Sequence, residues 1–243
     1  LAGAAFAAGI QNALAGGGSF LTFPALLMAG LDPRGANITS TIALFPAQVA
    51  TGFTGRRDAS GTPSSSFTAL FVISLIGGAL GALLLLETPS DIFTAMVPWL
   101  VLFATLVFGW GSFLRKVSHT PKHLGPVAAG TLQMCISIYG GYFGGGIGIL
   151  MLAVLTLSGL TLKNAAATKN VLAGVINSSA VVIFVFLHDV AWKQAAVVAL
   201  AATAGGQVGA YALPRVNELA MRICIVLLGF GLTVGLFLHY HTG

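Results

Sequence analysis

Almost the whole chain is taken up by eight apolar segments, separated by short clusters of proline, glycine and charge. They run about Leu1–Leu31, Ala36–Gly55, Ser66–Leu86, Ile92–Leu114, Leu124–Leu160, Ala165–Leu187, Ala191–Leu213 and Leu219–Tyr240. Most are near the ~20 residues that span a hydrocarbon core, which leaves few alternatives for the fold. Hydrophobic residues make up 56% of the 243 and charged residues 7%, where a soluble domain carries roughly 25% charged. Eleven Lys and Arg with six Asp and Glu cannot cover the surface of a soluble fold this size, so a soluble globular enzyme is nearly excluded. The expected fold class is an all-α polytopic membrane protein. Cys135 and Cys224 lie inside apolar segments and imply no disulfide framework. The net charge is +5, but the basic residues fall between segments and read as topology signals rather than a nucleic-acid patch. Leu1 to Ala15 has no basic n-region and does not read as a signal peptide.

The first and fifth segments are too long for one straight crossing, and each is interrupted by three glycines, Gly16–Gly18 and Gly144–Gly146. The two triplets are 128 residues apart, and other landmarks follow in the same order. Gly30-Leu31 matches Gly159-Leu160, Arg34 matches Lys163, Thr39-Ser40-Thr41 matches Thr168-Lys169-Asn170, and Gln48 matches Asn177. Gly77-Gly78 and Gly81 match Gly205-Gly206 and Gly209. Chance similarity between Gly/Ala/Leu-rich helices does not preserve so many landmarks in order, so the chain reads as two homologous repeats. Residues 1–115 form the first, 116–123 a basic linker and 124–243 the second, together one integral membrane domain. Each repeat has a Gly-broken or re-entrant first segment followed by three transmembrane helices.

Charge sets the expected orientation. If both long segments cross once, six basic residues face four: Arg56, Arg57, Arg115, Lys116, Lys122 and Lys193 against Arg34, Lys163, Arg215 and Arg222. If both are re-entrant hairpins, Lys163, Arg215 and Arg222 join the first side and Lys193 leaves it, making eight against two. The positive-inside rule favours the second arrangement, which inverts the repeats and puts Glu87 and Asp91 outside. The arm Ser19–Leu31 would then be about 20 Å of helix, past the midplane but short of spanning. A broken helix that does cross is the competing arrangement.

Inverted repeats with broken helices near the midplane are the pattern of secondary transporters. Where a half-helix starts, its free N–H groups and positive dipole end attract an anion, and glycine lets the backbone approach closely. Lys169 lies six residues, about 9 Å of helix, beyond Lys163, and a lysine at that depth is functional unless it snorkels to the interface. Lys169, Asn170 and Asn177 share one helical face, and Ser40 and Gln48 have the same spacing in the first repeat. All six carboxylates (Asp32, Asp58, Glu87, Asp91, Asp189, Glu218) sit at segment ends, which disfavours a cation site. The candidate substrate-binding residues are therefore Gly16, Gly17, Gly18, Ser19, Thr39, Ser40 and Gln48 in the first repeat. Those in the second are Gly144, Gly145, Gly146, Thr168, Lys169, Asn170 and Asn177.

Other motifs carry little. The sequons at Asn37 and Asn177 lie in apolar segments. Gly17-Gly18-Ser19 lacks the neighbouring base that a serine nucleophile needs, because every histidine lies in a loop or at an end. Gly144–Gly148 has no surrounding βαβ unit for a dinucleotide, and the Gly77/Gly81 and Gly205/Gly209 pairs read as helix-packing surfaces.

The run Gly16-Gly17-Gly18-Ser19-Phe20-Leu21-Thr22-Phe23-Pro24-Ala25-Leu26, with Ala36 and Thr39-Ser40, resembles the first repeat of the sulfite exporter TauE/SafE family. Gly140-Gly141-Tyr142-Phe143-Gly144-Gly145-Gly146 and Ala165–Asn170 resemble its second, and the likeness covers essentially the whole chain. Leu152 departs from Pro24, and Lys169-Asn170 from Ser40-Thr41, which leaves the substrate open. The resemblance implies a permease that moves sulfite, organosulfonates or related small sulfur-containing anions outward across the bacterial plasma membrane. An inside-negative potential favours that direction by about 2.3 kcal/mol per charge per 100 mV. An anion channel with the same site and no alternating access is the alternative. No cofactor or metal is expected. The expected partners are a small anionic substrate and the lipid bilayer, with no nucleic acid; a homodimer stays open.

Overall fold

A computed structural model of the chain describes residues 1–14, 17–110, 124–212 and 218–242. Gly16, the stretch with Arg115, Lys116 and Lys122, and Arg215 lie outside them, as does the linker at 116–123. The described residues are all-helical apart from turns and one isolated bridge between Thr62 and Ser65. Among the described residues the eight apolar segments become ten α-helices, because each long segment breaks at its glycines. The first yields α1 (Ala2–Leu14) and α2 (Ser19–Met28), and the fifth yields α6 (Pro126–Tyr142) and α7 (Ile147–Leu157). The others are α3 (Pro33–Gly55), α4 (Phe67–Glu87), α5 (Ser90–Gly109), α8 (Leu162–Leu187), α9 (Trp192–Ala212) and α10 (Glu218–Thr242). Among the described residues α4, α5 and α8 are both long and apolar enough to cross a membrane by composition alone. Their outward faces carry exposed leucine, isoleucine and phenylalanine, such as Leu75, Ile76, Leu84, Phe103 and Phe186. In water such a surface would be unstable; against acyl chains it is the expected one.

The short helices end through the same local chemistry in both halves. Gly30 and Gly159 adopt φ of +89° and +98°, and their N–H groups donate to Leu27 and Thr156. Leu31 and Leu160 close the loop by donating to the carbonyls of Leu26 and Leu155, the bonding pattern of a glycine-terminated helix. A new helix then starts from a capping side chain, Asp32 accepting from the Gly35 amide and Thr161 from the Asn164 amide. These stops make α2 and α7 10 and 11 residues long, about 15 Å each, so the α2 arm is shorter than the uninterrupted run Ser19–Leu31. Both reach about half the depth of a hydrocarbon core.

Packing follows the internal repeat. α1 packs on α9 as α6 packs on α4; α3 lies on α9 as α8 lies on α4; α2 touches α10 as α7 touches α5. α3 contacts α8, its own counterpart, and α5 contacts α10. Glycines make the closest crossings: a Cβ on Gly205 would strike the Phe6 carbonyl, and one on Gly81 the Ile138 carbonyl. α3 and α8 run antiparallel. Gln48 meets Asn177, Gly52 faces the backbone of Asn170 and Val171, and Asp58 pairs with Lys163 at 3.0 Å. As α3 is followed forward, its partners on α8 run backward.

Candidate functional site

The two breaks present helix N-termini with no side-chain cap. Gly18 precedes α2 and Gly146 precedes α7, and as glycines neither offers a capping side chain to the helix amides. A helix start leaves its first amides without intrahelical acceptors, so both tips expose donors. Gly17, Gly144 and Gly146 hold φ of +83°, +79° and +78°, conformations that an L side chain rarely adopts. Buried neighbours fix the first tip. Gln11 Nε2 donates to the Gly17 carbonyl at 2.8 Å, and Thr22 donates to the Gly18 carbonyl at 3.3 Å.

Both tips line the same cavity, of about 150 Å³. Gly17, Gly18 and Ser19 come from one half and Gly144, Gly146 and Gly148 from the other. α3 adds Gln48, and α8 adds Lys169 and Asn170. Among the described lining residues Lys169 is the single charged side chain, and none of them is a carboxylate. Its side chain is half-buried, and its Nζ lies 3.7 Å from the point where a Cβ on Gly148 would stand, against the first turn of α7. No hydrogen bond or ion pair joins Lys169 to the other described residues; the ion pair of this region is Lys163 with Asp58, out on the surface. A cation beside a helix N-terminus is disfavoured by about 1 kcal/mol, up to ~2 when partly buried. The same two positive elements would both favour an anion placed between them, which would turn this repulsion into attraction.

The remaining candidates fall around the cavity. Asn177 lies one layer away and donates to Gln48 Oε1 at 2.6 Å, a bond between counterparts of the two repeats where α3 crosses α8. Ser40 is buried, its Oγ 2.6 Å from Thr22 Oγ1, which ties α3 to the first tip. Thr39 is buried in α3 away from the cavity lining. Thr168 is spent on the loop after α3, donating to the Ser60 carbonyl and accepting from the Ser60 amide. Gly145 faces a separate small void of about 10 Å³ beside Ser19, Asn37 and Phe143. Gly16 lies outside the described residues.

Asn12 and Thr51 line the cavity without having been singled out from sequence. Thr51 follows Leu44 and Gln48 at helical spacing, a signal that was available. Asn12 is a polar residue in an apolar helix, but its counterpart Gly140 gives no matching polar position. Along this face of α3, Leu44 is buried, Gln48 half-buried and Thr51 exposed, so the cavity opens toward the C-terminal end of α3. The opposite end is latched. Asn37 Nδ2 donates to the Tyr142 carbonyl at 2.9 Å, and Arg34 donates to the Thr88 carbonyl at 3.0 Å. The rings of Phe23 and Phe143 meet edge to face beneath that latch.

Paired broken helices closing on a polar cavity, inside a body with apolar outer faces, define a multi-pass membrane transporter. Residues 1–236 match the family described as sulfite exporter TauE/SafE, and the chain belongs to that family. It is 32% identical over 226 residues to "Probable membrane transporter protein ORF9" of Sinorhizobium sp, covering 92% of this chain and 86% of that one. It is 31% identical to "Probable membrane transporter protein" of Haemophilus influenzae, over 94% of this chain and 89% of the other. With "Probable membrane transporter protein YfcA" of Escherichia coli it shares 26% over 98% of this chain and 88% of the other. No solved structure matches the chain.

Proposed function

We propose that the protein is a secondary transporter that exports small sulfur-containing anions, such as sulfite or organosulfonates, across the plasma membrane of a bacterium. The observation that carries this reading is the meeting of two half-helix N-termini around a cavity whose single charge among the described lining residues is Lys169. The anion takes donors from Ser19 and the tip amides and a counter-charge from Lys169. Asn170 and Gln48 complete a neutral polar surround, and Asn177 holds Gln48 in place.

Transport proceeds by alternating access about this site. The antiparallel course of α3 and α8 supports an inverted relation between the two halves, with the pseudo-two-fold axis in the membrane plane. The mouth at Thr51 lies beside the end of α3 that carries Arg56 and Arg57, the side the positive-inside rule assigns to the cytoplasm. The latch of Asn37 on the Tyr142 carbonyl then closes the outer path, and it opens as the mouth at Thr51 shuts.

Purified full-length protein in proteoliposomes tests this through uptake of labelled sulfite and methanesulfonate. Saturable flux is expected, with Lys169→Gln weakening apparent affinity by a few kcal/mol, the scale for removing one partner of a buried charge pair. Flux that rises linearly with concentration would replace the carrier by a channel. Wild-type affinity in Lys169→Gln would leave the site to the glycine tips alone.

A further inference from the structure

The small void beside Gly145, of about 10 Å³, has room for one water at most. Ser19 lines both this void and the main cavity. Three residues of the void match residues of the cavity at the offset of the glycine triplets: Gly145 matches Gly17, Ser19 matches Ile147, and Phe20 matches Gly148. The void is smaller because its side chains are larger. Phe20 stands where the cavity has Gly148, and Phe143 stands where the first half has Ala15. Phe23 meets Phe143 edge to face, and a Cβ on Gly145 would lie 2.9 Å from Phe143 Cε1, so the ring rests directly on that backbone. One face of α3 joins the two spaces. Leu44, Gln48 and Thr51 line the cavity, and the same face continues at spacings of three and four through Thr41 to Asn37, which lines the void, and on to Arg34.

We infer that the void is the closed outer half of the transport path, with Phe143 as its gate and Asn37 and Arg34 lining the way out. This rests on the reading of the cavity as a transport site between inverted halves, and it adds the route and the side chain that shuts it. An inverted relation carries a cavity on one side of the membrane onto a matching space on the other. In the state described here rings fill that matching space, and a constriction lined by rings stays dry, so a hydrated anion does not pass. Once the Phe143 ring swings away, the Asn37 amide, now bonded to the Tyr142 carbonyl, is free to donate to a passing anion. Arg34, three residues nearer the outer end of α3, supplies the next positive charge.

Chloride efflux from proteoliposomes of the full chain tests the gate, alongside uptake of labelled sulfite and methanesulfonate. Phe143→Ala should release chloride at least ~10-fold faster than the parent, because a wetted opening replaces the ring. Phe103→Ala should not leak; it removes an edge-to-face partner of Tyr139 from an exposed position and lines neither space. In the Phe143→Ala background, Asn37→Asp should slow the leak at least ~10-fold, since a carboxylate in the path repels anions. Phe143→Val carries the same comparison if the alanine variant is not recovered as monodisperse protein. A folded Phe143 variant that leaks no faster than the parent, or a leak that Asn37→Asp leaves unchanged, overturns the inference. Chloride reports the path whatever the substrate is. A leak without saturable uptake of either labelled anion by the parent therefore keeps the gate and removes the proposed substrates, whereas saturable uptake without the leak removes the gate and leaves the anion site standing.

Discussion

In the proposed site Lys169 stands beside Gly148. Gly148 is the second residue of α7, and a Cβ there would touch Lys169 Cδ and Nζ at 3.6 and 3.7 Å, ordinary contact distances. Gly148→Ala therefore fits the fold and, by removing a flexible glycine from a helix, should stabilise it by up to about 1 kcal/mol. The new methyl group occupies the approach to the ammonium, so apparent anion affinity should drop about tenfold, or 1.4 kcal/mol. Thermal melting and flux of the same preparation check both signs; a variant that is both less stable and normally active would refute the placement. Lys169→Arg should restore only part of the affinity lost in Lys169→Gln, because a planar fork does not replace a compact ammonium. Lys163→Ala is the control. Its pair with Asp58 is 75% and 47% exposed, and such pairs contribute between 0 and ~1 kcal/mol, so flux should change little. The sequence singles out Lys169 because lysine deep in an apolar segment is costly. It does not distinguish Lys169 from Thr168, since the rotation of α8 decides which of two adjacent residues meets the cavity and which meets Ser60.

Helix breaks and helix crossings are set by different glycines. Gly17, Gly144 and Gly146 act through backbone conformation, whereas Gly77, Gly81 and Gly205 sit at φ values open to any residue and act through space. A side chain on Gly81 or Gly205 would push apart α4 from α6, or α1 from α9. We expect Gly205→Val to destabilise the protein by about 1–3 kcal/mol and to lower the yield of monodisperse protein. Gly3→Val, where a Cβ meets nothing within 4 Å, should leave both unchanged. Size-exclusion profiles and melting curves of the two variants make the comparison, and equal behaviour would remove close packing as the role of Gly205. The breaks were legible in sequence as triplets. The length of α2 was not, because its stop depends on Gly30 turning left-handed and on the Leu31 amide reaching back to Leu26.

For the molecule as a whole, the proposed inverted arrangement of the halves in the membrane rests on charge and on the antiparallel α3 and α8. Cysteines placed at Arg57 and Lys163 should label from the same side of sealed vesicles with an impermeant thiol reagent, and one at Glu87 from the opposite side. Labelling of all three from one side would contradict the inverted arrangement. A cysteine at Thr51 should react from the Arg57 side and be shielded by substrate, since it stands at the cavity mouth. A cysteine at Asn37 should react from neither side until the latch on the Tyr142 carbonyl opens.

By itself the sequence determined the solvent this chain requires, the eight apolar segments and the two places where helices must break. Each of these depends on composition and spacing along a short stretch: an apolar run must avoid water, and consecutive glycines lose helix stability wherever they occur. The tertiary structure alone decided which polar residues share a cavity. Gln48 and Asn177 are 129 positions apart and meet at 2.6 Å, Asn12 lines one cavity with Gly144 and Gly146 of the other half, and Ser40 is spent on Thr22. Such partnerships depend on the rotation and crossing point of packed helices. In this chain those are fixed by glycines whose neighbours come from the opposite repeat, so no local window of sequence contains both sides of the contact.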